Sequence, residues 1–311
     1  MSKEFGIQNL IILILLMFPL TVGAEKSSGR TLSNYLDEVR INNDIPAMAV
    51  AIITDGEISY TEGFGYLEES STYRVTEKTL FRIASISKLF TAQAIMKLVE
   101  MNKLSLSDEV GLHLPAFKKS HITIKHLLTH TSGLNDQIKP VSFDQDRSIT
   151  RYLNLVSNSV PTEIESGRFE YADTNFNLLG AVISTVTGQS YESFISEAIL
   201  QPAHFKVSGF NDGKNSLFSE TLPSHNGILL EKRFRRPYDL AFNPSEGLIA
   251  SVHDLSRWVQ LTLNKNSAIL QQQFFDKMLE PTVKTVWGEI YMGLGWQVYN
   301  DRYGKAARHP G

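Results

Sequence analysis

The sequence predicts an α+β fold: an antiparallel sheet flanked by helices and joined to a large, mostly helical lobe. Three observations lead there. Ala47 to Thr54 (AMAVAIIT) and Ile58 to Tyr66 (ISYTEGFGY) are β-prone runs joined by Asp55-Gly56, a strong two-residue hairpin signal. From Leu80 to about Leu200 the spacing is mostly helical, broken by Gly and Ser/Thr clusters such as Thr129 to Gly133. Near the end, Tyr291 to Tyr299 (YMGLGWQVY) is aromatic-rich and strand-like, Asn300 to Gly304 forms a polar turn, and Lys305 to Gly311 starts another extended run. Strands at both ends around helices imply one sheet assembled from distant segments, with the helical stretch inserted between them.

Ahead of the hairpin, Thr31 to Asn42 (TLSNYLDEVRIN) places Leu32, Tyr35, Leu36 and Val39 on one side, which predicts a helix ending near Pro46. With 311 residues, 42% of them hydrophobic and 20% charged, the chain has ordinary globular composition and enough length for a large core. The net charge is −3 and the basic residues are scattered, so nothing marks a nucleic-acid partner. There is no cysteine, which excludes disulfides, thiolate catalysis and Cys-ligated zinc. The apolar run Leu10 to Val22, followed by Val22-Gly23-Ala24 and charged Glu25-Lys26, reads as a signal peptide over residues 1–24, leaving a domain over 25–311. That implies export to the periplasm or beyond, with attachment to a membrane only if the segment stays uncleaved.

The sharpest chemical signal is Ser85-x-x-Lys88, the single Ser-x-x-Lys of the sequence, at the head of a helix apolar nearly all round (KLFTAQAIMKLV). Positions i and i+3 share a helix face, so the Lys88 amine can reach the Ser85 hydroxyl. A first-turn amide lacks an intrahelical partner, so the Ser85 N–H is free to meet an oxyanion. Burial disfavours an ammonium, which predicts a lysine able to act as a base near neutral pH. The alternative reading makes Ser85 a helix cap and Lys88 a snorkelling surface residue.

The stretches LFRIASISKLFTA, HLLTHTSGL (His126 to Leu134), FEYADTNFNLLG (Phe169 to Gly180) and EGLIASVHDLSRW (Glu246 to Trp258) follow one another in that order. Together they resemble the β-lactamase-related serine hydrolases, a family of class C β-lactamases, DD-peptidases, D-aminopeptidases and esterases, over roughly residues 31–311. The resemblance implies Ser85 as nucleophile, Lys88 and Tyr171 as its proton-handling partners, and a small-molecule or peptide substrate, with no metal or other cofactor. Tyr171-Ala172-Asp173 stands where the family has Tyr-x-Asn, and His309-Pro310-Gly311 matches the His-x-Gly form of its third motif. Asp173, His309 and Gly311 are therefore the expected substrate-binding positions. An ionised Asp can only accept hydrogen bonds where Asn can donate one, and Pro310 carries no N–H, so both departures argue against a dedicated β-lactamase. By the same resemblance the position after Gly311 would supply a second oxyanion N–H and further strands would follow, so the sequence is expected to be C-terminally truncated. Loss of activity, leaving a ligand-binding protein of the same fold, is the competing expectation.

His126 and His130 sit four apart, the spacing of a helical zinc pair, but without an intervening Glu; His130 is expected to bond within the turn Thr131 to Gly133. Trp258, Trp296 and Tyr299 are expected in core or hairpin packing.

Overall fold

The computed structural model describes residues 31–67, 73–141, 146, 148–159, 167–211, 224–225, 228–229 and 239–311. The expected signal segment over 1–24 lies outside them.

Thr31 caps the first helix, α1 (Leu32–Asn42), its hydroxyl accepting the Asn34 N–H at 3.2 Å. β1 (Ala47–Thr54) and β2 (Glu57–Gly65) then form the hairpin signalled by Asp55-Gly56, both of which have positive φ (53° and 77°), as a primed turn requires. Gly65 ends the hairpin with φ 82°, where a Cβ would lie 2.0 Å from the Pro46 carbonyl, so only glycine fits. Buried Leu36 anchors α1 on Met48, Val50 and Phe64 of the hairpin. The rest of the predicted stripe is not buried, since Leu32 and Tyr35 are 44% and 50% exposed. The hairpin offers α1 only a narrow ledge, and one leucine fills it.

β3 (Leu80–Arg82) leads through a single 3₁₀ turn at Ala84–Ile86 into α2 (Ser87–Glu100), in which every residue from Ser87 to Met96 is buried. The lobe continues through α3 (Val110–His113), α4 (Ile124–Leu128), α5 (Ile149–Ser159), α6 (Asp173–Thr187) and α7 (Tyr191–Ile195). α6 is buried from Thr174 to Ile183 and runs through the same core as α2. β4 (Gly209–Phe210) precedes the short pair β5 (Ser224–His225) and β6 (Ile228–Leu229). α8 (Asn243–Glu246) lies close on α6, since a Cβ on Gly180 would come within 2.1 Å of Pro244. Then follow β7 (Leu248–Ser251), α9 (Val252–Leu263), α10 (Gln272–Met278), β8 (Val283–Lys284), β9 (Tyr291–Met292), β10 (Gln297–Asp301) and β11 (Gly304–Arg308).

The chain is thus α+β, with helices between antiparallel terminal strands. The strands differ from the expectation in forming separate ladders instead of one sheet: β1-β2, β3-β7-β4, β5-β6 and β11-β10-β9-β8. The run Tyr291 to Tyr299 is also not one strand. It breaks between β9 and β10, where the Gly293 N–H bonds the Trp296 carbonyl at 2.7 Å and Gly295 adopts φ 84°. A Cβ at Gly295 would stand 2.6 Å from the Ala92 methyl, so the break seats this segment directly on α2. Trp258 is a core residue as expected, stacked on Phe90 at 4.4 Å with its indole N–H bonded to Gln93.

Candidate active site

Ser85 lies in the 3₁₀ turn just ahead of α2, not in the first turn of α2 itself. The residue before it, Ala84, has φ 43°, a left-handed conformation costing an L residue roughly 1 kcal/mol. The Ser85 N–H finds no partner among the described residues.

One turn on, Lys88 is fully buried. Its Nζ donates to Ser85 Oγ at 2.9 Å, to Asp173 Oδ1 at 2.6 Å and to the Ser245 carbonyl at 3.0 Å. Three acceptors match the three protons of an ammonium. Burial is the largest single influence and pushes the lysine down, but Tyr171 and Asp173 beside it together outweigh burial and hold Lys88 above its ordinary value. This corrects the expectation of a lysine neutralised by burial: the charge partner, Asp173, is remote in sequence and could not be seen along the helix.

Tyr171 lies over this lysine, with Nζ 5.0 Å from its ring centroid. Its ring stacks on His130 at 4.3 Å and 27°, and Trp287 approaches it at 5.8 Å. His130 is fully buried, and its Nδ1 accepts the Ala172 N–H at 3.2 Å and the Asn175 amide at 3.2 Å. It therefore braces the Tyr171 segment, not the turn after it as expected. With Nδ1 accepting, the neutral ring carries its proton on Nε2, which has no partner within the described residues. Burial, then the Lys88 charge, holds His130 well below the usual histidine value. From the other side Asp136 fixes the start of α6, its carboxylate accepting the Asp173 and Thr174 N–H groups at 3.0 and 2.9 Å.

His309 and Gly311 are brought to the same place. The His309 ring centroid is 6.2 Å from that of Tyr171, and a Cβ on Gly311 would stand 2.5 Å from the carbonyl of Ile83, two residues before the serine. His309 Nδ1 donates to the Pro310 carbonyl at 2.8 Å, which leaves Nε2 as a buried acceptor without a partner among the described residues. Burial, reinforced by the Lys88 charge, pushes His309 down to about 3. His126 does not join this group: it completes a capping box with Thr123 at the head of α4. Among the described residues, no cluster of three or more His, Asp or Glu could hold a metal ion.

All six residues singled out in the sequence thus converge on one cleft. Sequence reasoning missed the Ser245 carbonyl, the bracing role of His130, Asp136 and the partly exposed Trp287, although the HTSGL stretch containing His130 was in view.

A part-exposed serine on a buried Ser-x-x-Lys turn, with a tyrosine over the lysine, in an α+β fold, defines a serine hydrolase-like protein. The chain belongs to the Beta-lactamase family, which it matches over residues 31–311. It is 30% identical to Protein flp of Staphylococcus aureus over 278 residues, 83% of this chain but 54% of that one, so it spans about half the length of that relative. It is 28% identical to penicillin-binding protein PbpX of Bacillus subtilis, covering 90% of this chain and 68% of the other. Among solved structures, the octameric penicillin-binding protein homologue from Pyrococcus abyssi matches with a TM-score of 0.76 at 28% identity, over 89% of this chain and 67% of that one. The penicillin-binding protein of Bacillus halodurans shares the fold, with a TM-score of 0.67 at 24% identity over 79% and 77% of the two chains.

Proposed function

We propose that the chain is an exported serine hydrolase that forms an acyl-enzyme on Ser85, with an ester, a D-amino peptide or a β-lactam amide as substrate. The carrying observation is the 2.9 Å contact between Lys88 Nζ and Ser85 Oγ, with the same nitrogen pinned by Asp173 and Ser245. Those two acceptors occupy two of the nitrogen's positions in either charge state, and the third meets the serine. As an ammonium, Lys88 donates to Oγ; as an amine, it accepts the serine proton while Oγ attacks the substrate carbonyl. Tyr171 is the route by which the lysine sheds and regains that proton, and it protonates the leaving group. The unpartnered Ser85 N–H stabilises the oxyanion, and water then clears the acyl group.

Asp173 sets the substrate preference. An Asn in its place could bond Lys88 through oxygen while donating N–H to an acylamide carbonyl, whereas the carboxylate has no proton to give. Esters and D-amino peptides are therefore turned over in preference to cephalosporins, and Asp173→Asn raises β-lactam acylation by about ten- to a hundredfold, the scale of one unsatisfied polar pair. The pH profile moves as well. Tyr171 and then Asp173 raise Lys88 against the push of burial, so the amine appears only at high pH; without the Asp173 charge that opposition weakens, and the alkaline limb of acylation shifts to lower pH. Steady-state rates against pH for both proteins, on a p-nitrophenyl ester and a chromogenic cephalosporin, test this. An unmoved limb, or native cephalosporin turnover equal to ester turnover, contradicts it.

The same ion pair favours a second reading, a catalytically impaired protein whose lysine stays charged. In that case the native chain is silent on every substrate in the panel, while Asp173→Asn gains activity.

A further inference from the structure

A second cleft lies away from Ser85, at the opposite end of the β3-β7-β4 ladder. Leu80 of β3 pairs with Ser251 of β7, and Gly209 of β4 pairs with Ile249, so the beginnings of β3 and β4 meet the end of β7. β3 then runs away from this end toward the nucleophile. Lys78 precedes Ser85 by seven residues, with the whole of β3 between them, a stretch of chain that spans at most about 25 Å. Three segments therefore deliver side chains together: Lys78 before β3, His204 and Lys206 before β4, and His253 and Arg257 at the head of α9.

These residues and Val207 line an open cleft of about 570 Å³. Every titratable side chain on its wall is basic. Lys78, His204, Lys206 and Arg257 are exposed, and none of them forms an ion pair with a described residue. In a chain of net charge −3 such a concentration of basic side chains, without an ion pair among the described residues, runs against the overall balance.

The wall is also built, not a chance meeting of flexible lysines. Asp254 is completely buried behind it, and its carboxylate accepts the N–H groups of Lys206, Val207 and Ser208 at 3.1, 3.0 and 3.0 Å, the Ser208 hydroxyl at 2.7 Å and His253 Nδ1 at 3.1 Å. These donors hold Asp254 below the usual carboxylate range, burial opposing them most strongly. One buried anion thus fixes both the 206–208 segment and the His253 ring. His204 stands at the corner of this segment with φ 58°.

We infer that this cleft is a binding site for an oligophosphate or phosphodiester chain, separate from the hydrolytic centre. The planar guanidinium of Arg257 offers paired donors matched to a phosphate, and Lys78 and Lys206 supply point charges beside it. Openness and volume suit a segment of chain carrying several phosphates, not one enclosed ion.

The test is titration calorimetry of the full chain with inorganic tripolyphosphate, with orthophosphate and tricarballylate as comparison ligands. Tripolyphosphate is expected to bind at least tenfold more tightly than either, and to weaken as salt is raised. The double substitution Lys206→Ala/Arg257→Ala should weaken it a further tenfold or more, leaving thermal melting and ester turnover unchanged because neither residue touches the core or the Ser85 cleft. Unaltered binding in the double variant removes the site from this cleft. Equal affinity for tricarballylate overturns the choice of phosphate, equal affinity for orthophosphate overturns the chain, and no heat with tripolyphosphate at millimolar concentration overturns the proposal entirely.

Discussion

Lys88→Ala and Tyr171→Phe each slow acylation of Ser85 by about 10² or more, the scale of a positioned acid-base group. The two substitutions differ in every other respect, which makes the pair informative. Removing the lysine leaves the Asp173 carboxylate and the Ser245 carbonyl without the cation both face, and breaking one side of a buried ion pair costs about 3–5 kcal/mol. Lys88→Ala is therefore expected to melt well below the native protein. Tyr171→Phe keeps the ring stacked on His130 and loses only the hydroxyl, so its melting temperature stays near native while its rate falls. Stopped-flow acylation and thermal melting on both variants check the account. A Tyr171→Phe protein with near-native rate makes the tyrosine structural, and a Lys88→Ala protein with native stability denies the ion pair its weight.

Acid destabilises the fold well above the pH at which carboxylates titrate. His130 and His309 are both held neutral in the native state, burial being the main cause for each and the Lys88 charge the second. Once unfolded they return to the ordinary value near about 6.5. Below that value the unfolded chain takes up protons that the native chain refuses until far lower pH, about 3 for His309. Stability is therefore full above about pH 6.5 and declines as pH falls through the window below it, at about 1.4 kcal/mol per pH unit for His309 until its native value is reached, with His130 adding in the same direction. Between pH 7 and 5 His309 alone removes about 2 kcal/mol, a sizeable share of the 5–15 kcal/mol typical of a domain, and His130 acts in the same direction. Urea unfolding across that range measures it, and His309→Gln should make the slope shallower. A flat profile from pH 7 to 5 would mean that neither ring is buried neutral.

What the sequence revealed about this molecule follows the range of the interactions involved. Asp55-Gly56 specifies its own turn, and the all-apolar run after Lys88 specifies a buried helix, because both depend on neighbours within a few residues. The position of Lys88 beside Ser85 is equally local. Its charge state is not, since Tyr171 and Asp173, the latter 85 positions away, together reverse the effect that burial alone would have. The same holds for His130, whose partners are Ala172 and Asn175, and for the break at Gly293 to Trp296, which is dictated by Ala92 and Leu128 on other elements. The stripe on α1 stays largely exposed for a related reason. A helical period shows which residues share a face, but not how wide a surface waits to cover it.

The central claim is that Ser85 is the nucleophile. Peptide mass spectrometry of the chain after exposure to a fluorophosphonate probe tests it most directly, with Ser85→Ala treated in parallel. The account predicts one covalent adduct, on the peptide containing Ser85, and none in the Ser85→Ala protein. An adduct on another residue, or labelling that survives Ser85→Ala, would contradict it.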